Sequence, residues 1–418
     1  MENSENKAGC DRPGPPLVSV VLLAYNHLAY TKLCVESLFR HTGDVDYELI
    51  TVDNGSSDGT KEYFESLPNK KKLRFPENVG VDKAVNAGFR LAEGKYTLNL
   101  SNDIVVTPRW LSNLAVCMES DERIAMAAPV CGFSSNGQQV NLSYGTLEEM
   151  REAAERYNRS NPDFWEDRLK LVTYTCLFRT DVFRRIGGFD EEFNPGAYDD
   201  DAIGFLLRRR GYRLVLAKDT YVHHFGSVTF SEEYRKSNIA ERNRNLFFKK
   251  FGVDSWSVST PDANIVNLAD CGKTGKISIL GVGQSCGASL LQIKNGFRKR
   301  GSHNVKLYYF SEAARSIPDL ETICEYCAFG LPCDVKRYFS GRLYDLAVVE
   351  SETGSLENRK KFFADLASLL ADGGALITTA AEGVYPEIEE TLRENGLVPV
   401  KKIRDYYCRF EKRETAVL

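Results

Sequence analysis

The chain has 418 residues, a formal net charge of −4 and 27% charged residues. This length is enough for two ordinary domains with substantial cores. The charge balance argues against nucleic-acid binding, which favours a strongly basic face. No apolar run approaches the roughly 20 residues that a transmembrane helix needs. We therefore predict a cytoplasmic protein without a transmembrane segment.

Residues 1–16 are predicted to be a flexible tail, because they are polar, rich in proline and lack the apolar centre of a signal peptide. The 11 cysteines are scattered, and we interpret them as reduced thiols of a cytosolic protein. Cys324, Cys327 and Cys333 lie closest together and could begin a zinc or iron–sulfur site. No fourth ligand is obvious nearby, so small buried apolar side chains are the favoured interpretation.

Residues 17–253 alternate between strand and helix patterns. Apolar runs at residues 18–23, 49–52 and 96–100 predict strands, and residues 30–39 and 79–91 predict helices. This rhythm predicts an α/β domain with a mixed, mostly parallel sheet. Ligands of such sheets gather at the carboxyl ends of the strands, here Ala24-Tyr25-Asn26, Asp53 and Ser101-Asn102-Asp103.

Residues 53–60 place a carboxylate directly after a strand, followed by a turn of Gly, Ser and Asp. This arrangement is typical of nucleotide sites in open α/β sheets. Ser57 or Asp58 could cap the next helix. An ordinary strand–turn–helix corner explains the same residues about equally well, since Asn-Gly and Asp-Gly are common turn formers.

Further acidic and histidine groups follow along the chain. Asp103 could bind the hard cation that a diphosphate needs. Asp199-Asp200-Asp201 would repel one another, which can raise a pKa and prepare one carboxylate as a base, although a lone triplet is more often a solvated loop. His223 and His224 are candidate metal ligands, or one of them is a core residue.

The combination resembles the family 2 glycosyltransferases with the GT-A fold, from residue 18 to about residue 252. The matching blocks, in order, are residues 20–26, 53–60, 78–88, 94–103, 187–191, 199–212 and 223–227. Many blocks in one order are far more specific than any one of them. Ser101 departs from the family's Asp-x-Asp metal motif, because it occupies the first acidic position.

The resemblance implies roles for individual residues. Asp200 would be the catalytic base, with Asp199 beside it. Asp103 would bind a divalent metal, Mn or Mg, and one of His223 and His224 would complete its shell; the sequence does not choose between them. The donor pocket would be lined by Ala24, Tyr25, Asn26, Asp53, Lys83, Asn102 and Asp103.

These residues predict an inverting transfer of a sugar from a nucleotide-diphosphate donor to a hydroxyl. The acceptor would be a glycan or a protein, such as flagellin or a surface-layer protein. A non-catalytic sugar-nucleotide or glycan-binding module is a second interpretation. The basic stretch from residue 239 to 251 is predicted to be a solvated helix face.

Residues 254–275 are polar with little periodicity and predict a linker, and residues 276–418 predict a second, smaller α/β domain. Gly281-x-Gly283-x-Ser285-x-Gly287 after a strand resembles the nucleotide loop of S-adenosylmethionine-dependent methyltransferases. Gly281 replaces that family's acidic residue and Ser285 its middle glycine. We therefore expect a Rossmann-like, methyltransferase-type domain that does not use S-adenosylmethionine and serves packing, acceptor docking or homo-oligomerisation. A bifunctional glycosyltransferase and methyltransferase is the alternative.

Overall fold

The computed structural model describes residues 14–226, 238–269, 272–350, 358–380, 383–404 and 406–413. Most of the predicted tail, and Ser227 in the last matching block, lie outside these ranges. The chain divides into two compact units, with the boundary between Lys250 and Phe251. None of the helices within the described ranges is both long and apolar enough to cross a membrane.

The first unit contains a mixed α/β fold built on one nine-stranded sheet. Its strands are β1 (Val18–Ala24), β2 (Tyr47–Asp53), β3 (Lys71–Arg74), β4 (Tyr96–Ser101), β5 (Ile104–Val105), β6 (Ile124–Cys131), β7 (Trp165–Arg168), β8 (Thr175–Arg179) and β9 (Arg213–His224). Its helices are α1 (Leu28–His41), α2 (Thr60–Ser66), α3 (Val81–Arg90), α4 (Trp110–Glu119), α5 (Leu147–Tyr157), α6 (Thr180–Ile186) and α7 (Asp199–Arg208), and α8 (Ile239–Phe251) spans the boundary.

The strand order is β3-β2-β1-β4-β8-β6-β9-β5, with β7 also paired to β9. Strands β3, β2, β1 and β4 are mutually parallel, and β6 is parallel to β9. Strand β8 runs antiparallel to both β4 and β6, and β5 and β7 run antiparallel to β9. Six strands therefore share one direction, and the alternating pattern correctly predicted a mixed sheet.

The core of the first unit lies on both faces of the sheet. Along β1, Val20 and Leu22 belong to one apolar cluster and Val21 to the other. Successive side chains of a strand point to opposite faces, so a strand covered on both sides is apolar throughout. Strand β1 is therefore an interior strand, and its parallel pairing with β2 and β4 brings the carboxyl ends of all three strands to one edge.

The second unit contains a seven-stranded sheet of order β12-β11-β10-β13-β14-β16-β15. Its strands are β10 (Ile277–Gly283), β11 (Val305–Ser311), β12 (Tyr326–Phe329), β13 (Tyr344–Val349), β14 (Leu370–Thr379), β15 (Leu397–Ile403) and β16 (Tyr407–Lys412). Its helices are α9 (Ser255–Val258), α10 (Ala263–Leu268), α11 (Ala288–Lys299), α12 (Ile317–Leu320), α13 (Val335–Phe339), α14 (Arg359–Ser368) and α15 (Tyr385–Glu394). All neighbours are parallel except β16, which is antiparallel to β14 and β15.

The predicted linker at residues 254–275 is part of the second unit and is not structureless. It contains α9 and α10, and the side chains of Asp254 and Asp262 cap them by accepting backbone N–H groups. These helices are too short to show a clear period in the sequence, which explains why the polar composition predicted a linker. Residues 270 and 271 of this segment lie outside the described ranges.

Candidate functional site

The loops that follow β1, β2 and β4 are fastened to one another by side-chain hydrogen bonds. The Ser56 hydroxyl accepts the backbone N–H of Asn26 at 2.8 Å, and Asn26 Oδ1 accepts the backbone N–H of Ser57 at 2.9 Å. The amide of Asn102 donates to the Asn26 carbonyl at 3.0 Å and to Thr31 Oγ1 at 2.9 Å. Asn26 itself has a left-handed φ of 56°, which Asn tolerates better than most residues. Asn102 therefore holds the loop in place with the amide that was predicted to contact the donor.

Asp53 ends β2 directly beside Ala24 of β1. Its side chain is buried and accepts the Ser56 backbone N–H at 2.8 Å, while Arg74 lies 3.2 Å from its other oxygen. The turn uses one carboxylate oxygen, and the other faces a partly exposed guanidinium. Among the other predicted donor residues, Tyr25 is half-buried at this edge and Lys83 is exposed on α3.

Gly59, rather than Ser57 or Asp58, is the residue at the N-cap position of α2, although the Asp58 side chain accepts the first backbone N–H of that helix. Asp58 also accepts the backbone N–H of Leu28 at 2.7 Å, at the start of α1. Its other oxygen binds the backbone N–H and the hydroxyl of Thr60. Asp58 thus joins two helix starts across the loop, which local sequence patterns do not reveal.

Asp103 and His224 are brought together at the same edge, although the sequence separates them widely. The Asp103 Oδ2 atom lies 3.2 Å from Nε2 of His224, and Nδ1 of His224 lies 2.8 Å from the Phe133 carbonyl. Burial disfavours the charged imidazole, but hydrogen bonds to Asp103 and Cys131 outweigh it and raise the pKa of His224 to about 10. The two side chains therefore lie within ion-pair distance of each other.

His223 points to the other face of β9, as strand geometry requires of adjacent residues. Its Nδ1 is 2.7 Å from the Tyr144 hydroxyl, which in turn is 2.7 Å from the Tyr221 hydroxyl. Burial and the neighbouring His224 lower the pKa of His223. The sequence left open which histidine accompanies Asp103, and in the structure it is His224.

The residues at this edge fit a divalent cation that is shared with a substrate. Asp103 and His224 supply one oxygen and one nitrogen donor. No group of three potential ligands lies together in the described parts of the chain. Hard divalent cations bound with nucleotide phosphates commonly take only one or two protein carboxylates, because phosphate oxygens and water complete the shell.

The three aspartates that begin α7 have different partners. The Asp201 side chain is buried and forms an ion pair with Lys170 at 2.8 Å. Asp200 accepts a hydrogen bond from the Thr173 hydroxyl. Burial and the nearby charge of Asp199 raise the pKa of Asp200 well above its usual range, and burial raises that of Asp199 to about 6. Asp199 and Asp200 are half-buried, whereas Asp201 is buried, so the first two aspartates of the triplet remain available to a ligand.

Two adjacent residues connect the acidic triplet to the Asp103–His224 pair. Thr173 binds Asp200, and the ring of Tyr174 stacks on His224 with centroids 5.0 Å apart and planes 18° apart. The structure therefore places the predicted base and the predicted metal ligands on either side of a single short segment.

The loop before the triplet adopts a strained backbone. Ala197 and Tyr198 have φ values of 67° and 66°, which non-glycine residues rarely adopt unless the surroundings impose them. Gly80, at the start of α3, lets this loop approach closely. A Cβ there would meet the Asn194 side chain at 2.5 Å, and its own φ is 88°.

The surroundings that hold this loop come from the buried side of α8, whereas its basic residues Arg242, Arg244, Lys249 and Lys250 are exposed, as predicted for a solvated helix face. The fully buried amide of Asn243 donates to the carbonyls of Phe193, Gly196 and Ala197 at 2.7, 2.7 and 2.9 Å. Arg242 donates to the Asn194 carbonyl, and Lys250 pairs with Asp190 and Glu192. Sequence reasoning missed Asn243 because a lone Asn among basic residues carries no signal.

The corresponding edge of the second unit is filled by its own side chains. The Ser285 and Tyr309 hydroxyls each lie 2.6 Å from Oε2 of Glu350. A Cβ at Gly281 would lie 2.6 Å from both Leu290 and Tyr309, so only glycine fits there. Cys324, Cys327 and Cys333 are half-buried free thiols in this unit.

Residues 19–187 match the family model described as glycosyl transferase family 2. Validoxylamine A glucosyltransferase from Streptomyces hygroscopicus subsp. jinggangensis is 23% identical over 231 residues, which are 49% of this chain and 54% of that protein. Chondroitin synthase from Escherichia coli is 25% identical over 223 residues, which are 46% of this chain and 32% of that protein. The first unit thus contains a glycosyl transferase family 2 domain, and these similarities support a glycosyltransferase.

Similarity to solved structures is limited. The mannosyltransferase PcManGT from Pyrobaculum calidifontis, in complex with GDP-Man and Mn2+, has a TM-score of 0.40 and 17% identity, covering 58% of this chain and 68% of that chain. GalNAc-T7 with UDP, GalNAc and Mn2+ has a TM-score of 0.41 and 16% identity, covering 50% of this chain and 44% of that chain. The chain spans about half the length, or less, of the first curated relatives that it matches.

Proposed function

We propose that the first unit is an inverting glycosyltransferase that moves a sugar from a nucleotide-diphosphate donor to an acceptor hydroxyl. The observation that carries this proposal is the placement of Asp103 with His224 and of Asp199 with Asp200 around residues 173–174. The family 2 domain supports the same class of reaction. The acceptor would be a glycan or a protein.

In the proposed reaction the acceptor oxygen bonds to the anomeric carbon while the bond from that carbon to the diphosphate breaks. The transition state resembles an oxocarbenium ion. Asp200 takes the proton of the acceptor hydroxyl as general base. One displacement on the face opposite the leaving group inverts the anomeric centre. Asp201 does not suit this role, because Lys170 holds it in a buried ion pair.

The donor would bind along the carboxyl ends of β1, β2 and β4. Asp53 and the backbone at Ala24, Tyr25 and Asn26 would contact the nucleotide, with Lys83 and Asn102 nearby. Asp103 and His224 would hold a Mn or Mg ion, which when bound offsets the charge that develops on the leaving diphosphate.

For the second unit we propose a scaffold of the methyltransferase type without S-adenosylmethionine chemistry. Its first five strands, numbered from β10, follow the order 3-2-1-4-5 of doubly wound nucleotide-binding folds. The hydrogen bonds among Ser285, Tyr309 and Glu350 occupy the region where a nucleotide loop would bind a ligand. This argues against the bifunctional alternative and leaves packing, acceptor docking or homo-oligomerisation as roles.

Thermal unfolding with a panel of nucleoside diphosphate sugars, with and without Mn, tests the proposal. A true donor raises the melting temperature because it binds the folded state, and the cation should increase that shift. Release of nucleoside diphosphate in the presence of acceptors then shows transfer. Binding of glycans without release from any donor would instead favour a non-catalytic module.

A further inference from the structure

Asp82 is an acidic residue that no motif assigns to the site, yet it lies against the acidic triplet. It is the second residue of α3, and its side chain is almost entirely buried, with the residue 1% exposed. Its backbone N–H donates to Asn194 Oδ1 at 3.1 Å, in the strained loop that precedes α7. Its carboxyl group forms a hydrogen bond with Asp199.

A hydrogen bond between two carboxyl groups requires a proton on one of them, because ionised carboxylates only accept. The Oδ2 atom of Asp82 is buried without a partner among the described residues. Asp199 is better placed to be ionised, because it begins a helix and accepts backbone N–H groups there. The proton of the pair therefore belongs to Asp82.

The electrostatics agree with this geometry. Burial and the charges of Asp199, Asp200 and Asp190 raise the pKa of Asp82 to about 10. The charged groups around the pair are Asp199, Asp200 and Asp201 on α7, Asp190, Glu191 and Glu192 before it, Lys170 on Asp201, and Lys250 on Asp190 and Glu192. Lys170 and Lys250 already have acidic partners, and no ion pair to Asp82 is found among the described residues.

We propose that Asp82 is a positioning residue that keeps its proton throughout the reaction and donates it in a hydrogen bond to Asp199. The negative charge of the cluster then stays on Asp199, directly beside Asp200, where the proposed glycosyl transfer, on which this inference rests, needs a base. Asp82 does not touch substrate, because its side chain is buried, whereas those of Asp199 and Asp200 are only partly buried.

Two substitutions separate a neutral donor from an ionised carboxylate. Asp82→Asn keeps a neutral N–H donor. We therefore expect kcat to stay within about twofold of that of the parent protein at every pH. Asp82→Ala removes the donor, so kcat should fall about tenfold. The acid limb of the pH profile should also shift, because Asp199 loses a group that stabilises its charge and the two neighbouring carboxyl groups titrate together. Equal losses in both variants would overturn the proposal, and so would an unaffected Asp82→Ala variant.

A measurement without turnover keeps the inference separate from the proposed function. Infrared difference spectra of the full chain should show a protonated carboxyl group at neutral pH that is absent in Asp82→Asn. The matched control is Asp181→Asn, which changes an exposed carboxylate on α6 and should leave that band intact. Failure to lose the band in Asp82→Asn would sink the inference. A band lost as expected in a protein that transfers no sugar would sink only the proposed function.

Discussion

The carboxyl-end edges of the parallel strands in the two units carry polar side chains in different arrangements. In the first unit the carboxyl ends of β1, β2 and β4 carry Asp53, Asn102 and Asp103, with Asp199 and Asp200 half-buried nearby. In the second unit the equivalent edge of β10, β11 and β13 carries polar groups that bind each other. The comparison illustrates why fold alone does not give function, because two edges of the same kind differ in the side chains they carry and in what those side chains bind.

The strongest test of the proposed site in the first unit is removal of the proposed base. Asp200→Asn should lower kcat by roughly 10²–10⁴-fold, the usual contribution of a general base. Affinity for the nucleoside diphosphate should change little, because Asp200 is not assigned to the nucleotide. Calorimetric titration and initial rates measure the two effects, and Asp181→Asn is the control. A near-normal rate in Asp200→Asn would remove this residue from the mechanism.

The conformation of the loop before α7 should depend on Asn243. Asn243→Ala removes the side-chain donor to the carbonyls of Phe193, Gly196 and Ala197, which costs about 1–3 kcal/mol of unfolding free energy and should lower kcat about tenfold or more. Leu392→Ala in the second unit removes a buried side chain of comparable energetic weight and should leave kcat unchanged. If both variants lose activity in proportion to stability, Asn243 has no specific positioning role.

The two histidines of β9 offer a paired test of the cation site. His224→Ala should weaken the apparent affinity for Mn by about 10–100-fold, the size of effect seen when a metal site loses a supporting group. His223→Ala should leave that affinity within about threefold, because His223 binds Tyr144 instead. Activity as a function of Mn concentration measures both. A larger effect from His223→Ala would reverse the assignment.

The buried proton on Asp82 should be visible in the pH dependence of stability. A carboxyl whose pKa is raised to about 10 in the folded state holds a proton there that the unfolded chain has lost. Stability must therefore fall as pH rises from about 4 to about 10, by at most about 1.4 kcal/mol per unit. Asp82→Asn should flatten this decline in urea unfolding at several pH values. An unchanged slope would show that Asp82 is ionised in the folded protein.

The smallest effect on sugar transfer is expected from a substitution at the corresponding edge of the second unit. Tyr309→Phe removes one donor to Glu350 and should cost about 1–2 kcal/mol of stability without changing kcat. Calorimetry with S-adenosylmethionine should detect no binding to the parent protein or to this variant. Tight binding of S-adenosylmethionine would instead support the bifunctional interpretation. It would also show that the second unit, like the first, binds a ligand.

The sequence predicted the parts of this molecule that depend on local periodicity. The strands and helices of the first unit follow from apolar spacing, and the mixed sheet follows from their alternation. The proximity of Asp103 to one of the two histidines was implied by the family resemblance, and β5–β9 pairing selects His224. Periodicity also failed locally, because the short helices α9 and α10 were assigned to a linker.

The remaining parts of the site depend on contacts between residues distant in the chain. Asp82 looks like an ordinary first-turn acid of a helix, and only its burial against α7 makes it unusual. Asn243 looks like a polar surface residue, and only the three carbonyls beneath it reveal its role. Single-sequence reasoning cannot supply such contacts, because neither the partners nor their depth of burial leave a pattern nearby.

The hydrogen bonds from α8 to residues 193–197 have a consequence for the design of fragments of this protein. The region matched to the family ends at residue 187, and the recognisable motifs end with the two histidines. A fragment cut just after those histidines would keep every predicted catalytic and metal-binding residue. It would nonetheless lose the amide that anchors the approach to Asp199. We therefore expect the smallest active fragment of this chain to be longer than a piece that ends at the two histidines.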